Sequence, residues 1–248
     1  LVCIGIDLAW SEANPSAAAA LKWDGRCGRV FLWAESLGQN AEIVNFVERA
    51  SGSGPALVAI DAPLVVPNET GTRPCDRELS QVYRRAHAQA YPANRQRLGS
   101  VIRGEALVSE LALRGFVHSP KVEERKLGRQ VVEVFPHPAM VELFDLPHIL
   151  QYKARPGRSL PFRWKELRRY QELLDSLRTG EPAMDASPIL SQFDPYGRKG
   201  KALKALEDLL DAVFCAYIGL HLWYWGKKGY RCFGDVQNGY ILVPVRPR

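Results

Sequence analysis

Leu206-Glu-Asp-Leu-Leu-Asp-Ala-Val-Phe-Cys-Ala-Tyr-Ile-Gly219 reads as part of a long helix over residues 201–225, almost wholly apolar from 212 to 222. A helix apolar on every side is a buried one. Asp211 opens the apolar run and Asp208 stands three residues earlier, so both carboxylates share one helix face. A carboxylate entering a buried face is costly unless a cation meets it. Two short apolar runs also close on aspartate, Val2-Cys-Ile-Gly-Ile-Asp7 and Pro55-Ala-Leu-Val-Ala-Ile-Asp61. A fold that brings these three places together builds a divalent-metal site.

Outward from that helix, the order of elements sets the topology. Residues 2–8, 17–23 and 29–35 read as strands joined by tight connections, which implies an antiparallel meander. Residues 39–50 carry apolar side chains at helical spacing, and residues 55–61 form a fourth strand. Residues 68–129 show no clear strand pattern and read as a helical insertion, with helices over 75–87 and 101–114 and a polar loop over 91–99. Residues 130–135 return as a fifth strand, stopped by Pro136-His-Pro138. Residues 139–144 and 163–177 read as helices, 181–200 as a loop and 239–245 as a final extended piece. A meander followed by crossovers gives an α/β fold, a mixed five-stranded sheet with helices on both faces. That is the strand order of the ribonuclease H-like fold, in which the first and fourth strands are neighbours and the last helix packs across them. Asp7, Asp61 and the Asp208/Asp211 face then meet at one sheet edge.

Composition narrows the function classes. The 248 residues suit one domain, and no run of eighteen apolar residues offers a membrane span. The start carries no basic, signal-like region. Five scattered cysteines without a CxxC pair suit reduced thiols in a cytoplasm better than a disulfide frame or zinc cluster. The net charge is +6, concentrated in two stretches. Residues 72–130 hold twelve Lys or Arg against six Asp or Glu, and residues 151–178 hold eight against three. Such a footprint suits nucleic acid as partner, or a solubilising surface. No GxSxG, Walker loop, GxGxxG or HExxH occurs.

The candidate residues each have two readings. Asp7 and Asp61 cap turns, or they hold Mg²⁺ or Mn²⁺, which prefer one or two carboxylates together with water and substrate phosphate oxygens. Two such ions about 4 Å apart suit in-line displacement at phosphorus. Glu133 faces outward on its strand, or it is a fourth ligand or proton-transfer group. His137 is a rigid turn residue or belongs to the site. In Thr72-Arg-Pro-Cys-Asp-Arg77, Asp76 caps a helix beside solvated arginines, or Arg73 and Arg77 bind phosphate. Lys153 is a surface lysine or a further phosphate contact. Trp10 and Trp164 pack in the core or stack on bases.

Five stretches together resemble the DUF429 family, predicted nucleases of the ribonuclease H-like superfamily. They are Gly5-Ile-Asp-Leu-Ala9, Ala59-Ile-Asp-Ala-Pro63, Arg73-Pro-Cys-Asp-Arg77, Glu133-Val-Phe-Pro-His-Pro138 and Asp211-Ala-Val-Phe-Cys-Ala216. The resemblance implies a metal-dependent nuclease site at Asp7, Asp61 and Asp211, with Glu133 and Asp208 as further candidates. Asp208-x-x-Asp211-Ala is also similar to the last helix of Holliday-junction resolvases. Ribonuclease H itself carries an acid on its first helix, which Glu42 and Glu48 do not obviously supply. The expected function is phosphodiester hydrolysis of nucleic acid. The rivals are a non-catalytic nucleic-acid-binding module and an ATP-dependent phosphotransferase, whose Gly/Thr-rich phosphate loop after the first strand is replaced here by Leu8-Ala-Trp-Ser-Glu12.

Overall fold

β1 (Val2–Asp7) lies in the middle of the sheet, as an unbroken apolar run requires when both its faces are covered. The computed structural model describes residues 1–247. β1 is followed by β2 (Ser16–Trp23) and β3 (Cys27–Leu37), which form the expected antiparallel meander. α1 (Asn40–Ser51) then leads to β4 (Ala56–Asp61), which pairs with β1 in parallel. The insertion holds α2 (Pro74–Val82), α3 (Arg95–Leu98), α4 (Arg103–Ala112) and β5 (Val117–His118). β6 (Arg129–Glu133) pairs with β4 and runs into α5 (Pro136–Phe144). α6 (Leu160–Ser176), β7 (Ala183–Asp185), α7 (Ser187–Leu190) and α8 (Gly200–Trp225) follow. β8 (Tyr230–Asp235) and β9 (Gly239–Pro244) close the described chain as a separate two-stranded sheet.

The main sheet is mixed and has seven strands in the order β5-β6-β4-β1-β2-β3-β7. Five are the expected ones. β5 and β7 extend the two edges by two and three residues, too few to show a sequence period. β6 ends before Pro136-His-Pro138, as expected, and those three residues also form the first turn of α5, where a missing N–H costs nothing, so the helix begins earlier than Ala139. β8 was unexpected because of its six residues only Phe233 is buried.

Strand alternation divides the core in two. Cys3, Leu57, Ala59, Val132 and Val134 face α8, backed by α5 and α6. Ile4, Ile6, Val58, Ile60 and Val131 face α1 and α4. α8 lies so close over β1 that a Cβ on Gly5 would overlap the Ala212 carbonyl and the Ala216 amide. Only glycine permits that approach. Cys3 of β1 and Cys215 of α8 are both buried in this packed layer. No helix among the described residues is long and apolar enough to cross a membrane.

Candidate carboxylate site

Asp7 and Asp61 are register partners at the ends of parallel β1 and β4. Adjacent strands lie about 4.8 Å apart, so two acids at one register and on one face are close neighbours. Alternation from Gly5 to Asp7 and from Ala59 to Asp61 points both toward the α8 side. Asp211 immediately precedes Ala212, the residue seated on Gly5, so the close helix–strand contact carries it to the same edge. Asp208 follows one turn back. The convergence is a product of backbone geometry.

The cation among these acids is a lysine. Lys153 Nζ lies 2.6 Å from Asp211 Oδ2, 3.4 Å from Asp208 Oδ1 and 3.8 Å from Asp7 Oδ2, with 29% of its side chain exposed. Lys204, one turn before Asp208, also pairs with that carboxylate. Asp211 Oδ1 accepts hydrogen bonds from Tyr152 Oη at 2.5 Å and Tyr170 Oη at 3.2 Å. Burial and the Asp211 charge hold both phenols well above their ordinary value, so they remain donors. Burial alone would lower Lys153, yet Asp211, Asp7 and Asp208 hold its ammonium well above the usual range. Among the described residues no group of three or more His, Cys, Asp and Glu side chains is arranged to hold a metal ion as it stands.

Asp7 and Asp61 are the strained acids. Burial pushes the Asp7 carboxyl well up; Lys153 lowers it, while Asp208, Asp211 and Asp61 raise it further. Burial, with Asp211 next, pushes Asp61 up to about 8. Among the described residues Asp61 has no ion pair of its own, and a folded pKa above the unfolded value means the folded state holds the proton more tightly. Its contribution to stability is then present below the unfolded pKa and lost as pH rises toward 8. Asp61→Asn is therefore expected to raise the melting temperature of the metal-free protein at pH 8 and leave it near wild type at pH 4. Scanning calorimetry at the two pH values checks this; an equal shift at both would remove the explanation.

Other candidates stand outside the Lys153 ion pairs. Glu133 shares its strand parity with Val131 and so leaves β6 on the other face from Asp7, although at the strand end it lines one small groove with Asp61 and its charge adds to the rise of that acid. There it meets Arg73, which is 1% exposed and bound to Glu133 Oε1 at 2.6 Å and Asp76 Oδ1 at 2.7 Å. Arg73 is an internal counter-ion. Asp76 is likewise buried in that network, while Arg77 is exposed on α2. His137, in the first turn of α5, has its ring centroid 6.3 Å from that of Tyr152, and burial lowers it to about 4, leaving it neutral at pH 7. Trp164 packs against the core, its Nε1 donating to Arg198 O, whereas Trp10 is 41% exposed. Tyr152, Tyr170 and Lys204 had no signal in the sequence. Tyr170 lies between Leu167 and Leu174 on the buried stripe of α6, where a phenol facing a carboxylate looks like any core aromatic.

No curated protein and no solved structure matches the chain. One family does: the family described as "Protein of unknown function (DUF429)" matches residues 5–237. That span includes Asp7, Asp61, Lys153, Asp208 and Asp211, and the chain belongs to the DUF429 family.

Proposed function

We propose that this chain is a divalent-metal-dependent phosphodiesterase acting on nucleic acid, built on a ribonuclease H-like core. Support for the core comes from the central order β6-β4-β1-β2-β3, with β1 beside β4 and α8 across them. The single observation that carries the activity is three carboxylates, Asp7, Asp208 and Asp211, gathered around one ammonium, with Asp61, the register partner of Asp7, beside them. An acid cluster whose own lysine stands in as the cation is built for positive charge, and its donors are the hard oxygens that Mg²⁺ and Mn²⁺ take.

Asp7, Asp61 and Asp211 would hold the ion, with Asp208 beside them. When bound, it supplies Lewis-acid activation of water and charge neutralisation at the leaving oxygen. Tyr152 and Tyr170 fix the Asp211 carboxylate from behind, the second layer of hydrogen bonds that orients a ligand. Lys153, once free of the acids, is a cation at hand for a substrate phosphate, as is Lys204, and Arg155 and Arg158 stand on the same loop as Lys153.

Titration of Mn²⁺ by calorimetry, with cleavage of labelled single-stranded, duplex, hybrid and junction substrates, tests the proposal. Asp7→Asn is expected to lose saturable Mn²⁺ binding and on the order of 10² or more in cleavage rate. Lys153→Met is expected to tighten Mn²⁺ binding by roughly tenfold, because it removes the ammonium that competes for the same oxygens. Weaker binding in that variant would make Lys153 a helper of the ion and not its rival. The neutralisation of the acids by Lys153 also favours a second reading, a nucleic-acid-binding module that takes no metal. Absence of saturable Mn²⁺ binding in both wild type and Lys153→Met would select it.

A further inference from the structure

Trp10 and Tyr91 are 41% and 63% exposed, and both line one groove whose wall includes Asp61, Pro63 and Phe135, with the Arg73–Asp76–Glu133 network at its base. A single exposed aromatic needs no explanation. Two bordering one groove are different when each is held out by a pinned backbone. Around Trp10, the buried Arg103 donates from Nη1 to Ala9 O at 2.9 Å and Ser11 O at 3.2 Å, and its Nε donates to Asn40 Oδ1 at 3.1 Å. Ala9 N donates to Ser16 Oγ at 3.1 Å. Around Tyr91, Ala90 N donates to Ser80 Oγ at 3.0 Å and Ala93 N to Asp76 Oδ2 at 3.2 Å. The backbone flanking both rings is thus fixed by buried polar groups, and the rings stay at the surface, forgoing the burial such rings normally gain.

The groove is continuous with the carboxylate site through Asp61. At ≈ 80 Å³ it is far smaller than a pocket for a whole nucleotide and suits one flat ring. Arg155 on the neighbouring loop donates to Tyr91 Oη at 3.4 Å, placing a cation beside the aromatic rim. Aromatic faces with adjacent cations are the pairing that single-stranded nucleic acid takes, bases on rings and phosphates on charges.

We infer that the groove takes one unpaired nucleobase, stacked on Trp10 and Tyr91, from a strand whose backbone passes over Asp7, Asp61 and Asp211. The inference rests on the nucleic-acid reading of that site and adds that the strand is unpaired where it is bound.

The test uses the full chain in EDTA, so that cleavage does not interfere. Fluorescence anisotropy measures binding of short oligothymidylate and oligouridylate strands and of an abasic strand of equal length. Wild type is expected to bind at least one base-bearing strand on the order of tenfold tighter than the abasic strand. Trp10→Ala and Tyr91→Ala should each bring that ratio toward one, with abasic binding and melting temperature kept, and Trp10→Phe should restore it. The deoxy and ribo strands separate a DNA-binding from an RNA-binding groove. A wild-type ratio of one, or a ratio unchanged in Trp10→Ala, overturns the inference. Base-dependent binding with no cleavage on adding Mn²⁺ would remove the nuclease reading and leave the groove standing. Cleavage without base preference would do the reverse.

Discussion

Arg73→Met is expected to destabilise the protein by about 3–5 kcal/mol, the range for removing one partner of a buried charge network. The guanidinium is fully enclosed and bonds to Asp76 through Nε and Nη2, to Glu133 through Nη1 and Nη2, and to Val65 O through Nη1. Glu133 Oε2 also accepts from Leu64 N, and Asp76 Oδ2 from Ala93 N. One side chain therefore ties together the segment after β4, the start of α2, the loop before α3 and the end of β6. Methionine fills the volume but leaves two carboxylates buried without a cation. Burial already pushes Glu133 up to about 7 with Arg73 present. Without Arg73, protonation of Glu133 is the cheapest relief, so the variant should lose less stability at pH 5 than at pH 8. Urea denaturation at both pH values checks the size and the sign. Arg73→Met/Glu133→Gln should recover part of the loss. A loss below about 1 kcal/mol would show that water reaches the network.

Gly5→Val is expected to prevent α8 from seating on β1. The added Cβ would overlap backbone atoms of Ala212, Cys215 and Ala216, none of which can rotate away. Ordinary overpacking of a core costs about 1–3 kcal/mol, and backbone contacts of this kind exceed it. The expected result is little folded protein. Gly5→Ala tests the geometry more finely: any folded fraction should bind Mn²⁺ less tightly although no acid has changed, because Asp211 rides on α8. Gly219→Ala is the control on the same helix. Its new Cβ would meet Leu57 Cδ2 at 3.0 Å, a side-chain atom that can shift, so a loss under about 1 kcal/mol is expected. Equal losses at the two glycines would sink the account of close approach.

The parts of the fold visible in the sequence are those whose burial is complete. β1 and β4 are unbroken apolar runs because both their faces are covered, and α8 is apolar because it lies between the sheet and α5 and α6. The placing of Asp7 beside Asp61 follows from parallel pairing of two runs that end alike. What stayed hidden depends on contacts between distant segments. Glu133 and Asp61 both end strands, but which face each takes depends on the β4–β6 register, Ile60 opposite Glu133, which no local pattern encodes. Arg73 and Arg77 belong to one short motif, and only packing sends one into the interior and the other to solvent. Lys153 sits in a loop with no periodicity, so its place among the acids had no local signature. The same holds for β8, whose burial comes from α2 and β9.

The layer between α8 and β1 also gives this protein internal reporters. Cys3 and Cys215 lie in it, fully covered, and burial pushes both thiols far above their ordinary value, whereas Cys232 is exposed and Cys27 partly so. An alkylating reagent should modify Cys232 and Cys27 in the folded chain and reach Cys3 and Cys215 only when the helix lifts. Mass spectrometry of time-resolved labelling can thus follow the opening of the layer that sets the Asp7–Asp211 spacing, with no probe added to the chain. If Mn²⁺ bridges the two acids, it should slow labelling of that inner pair and leave the outer pair unchanged.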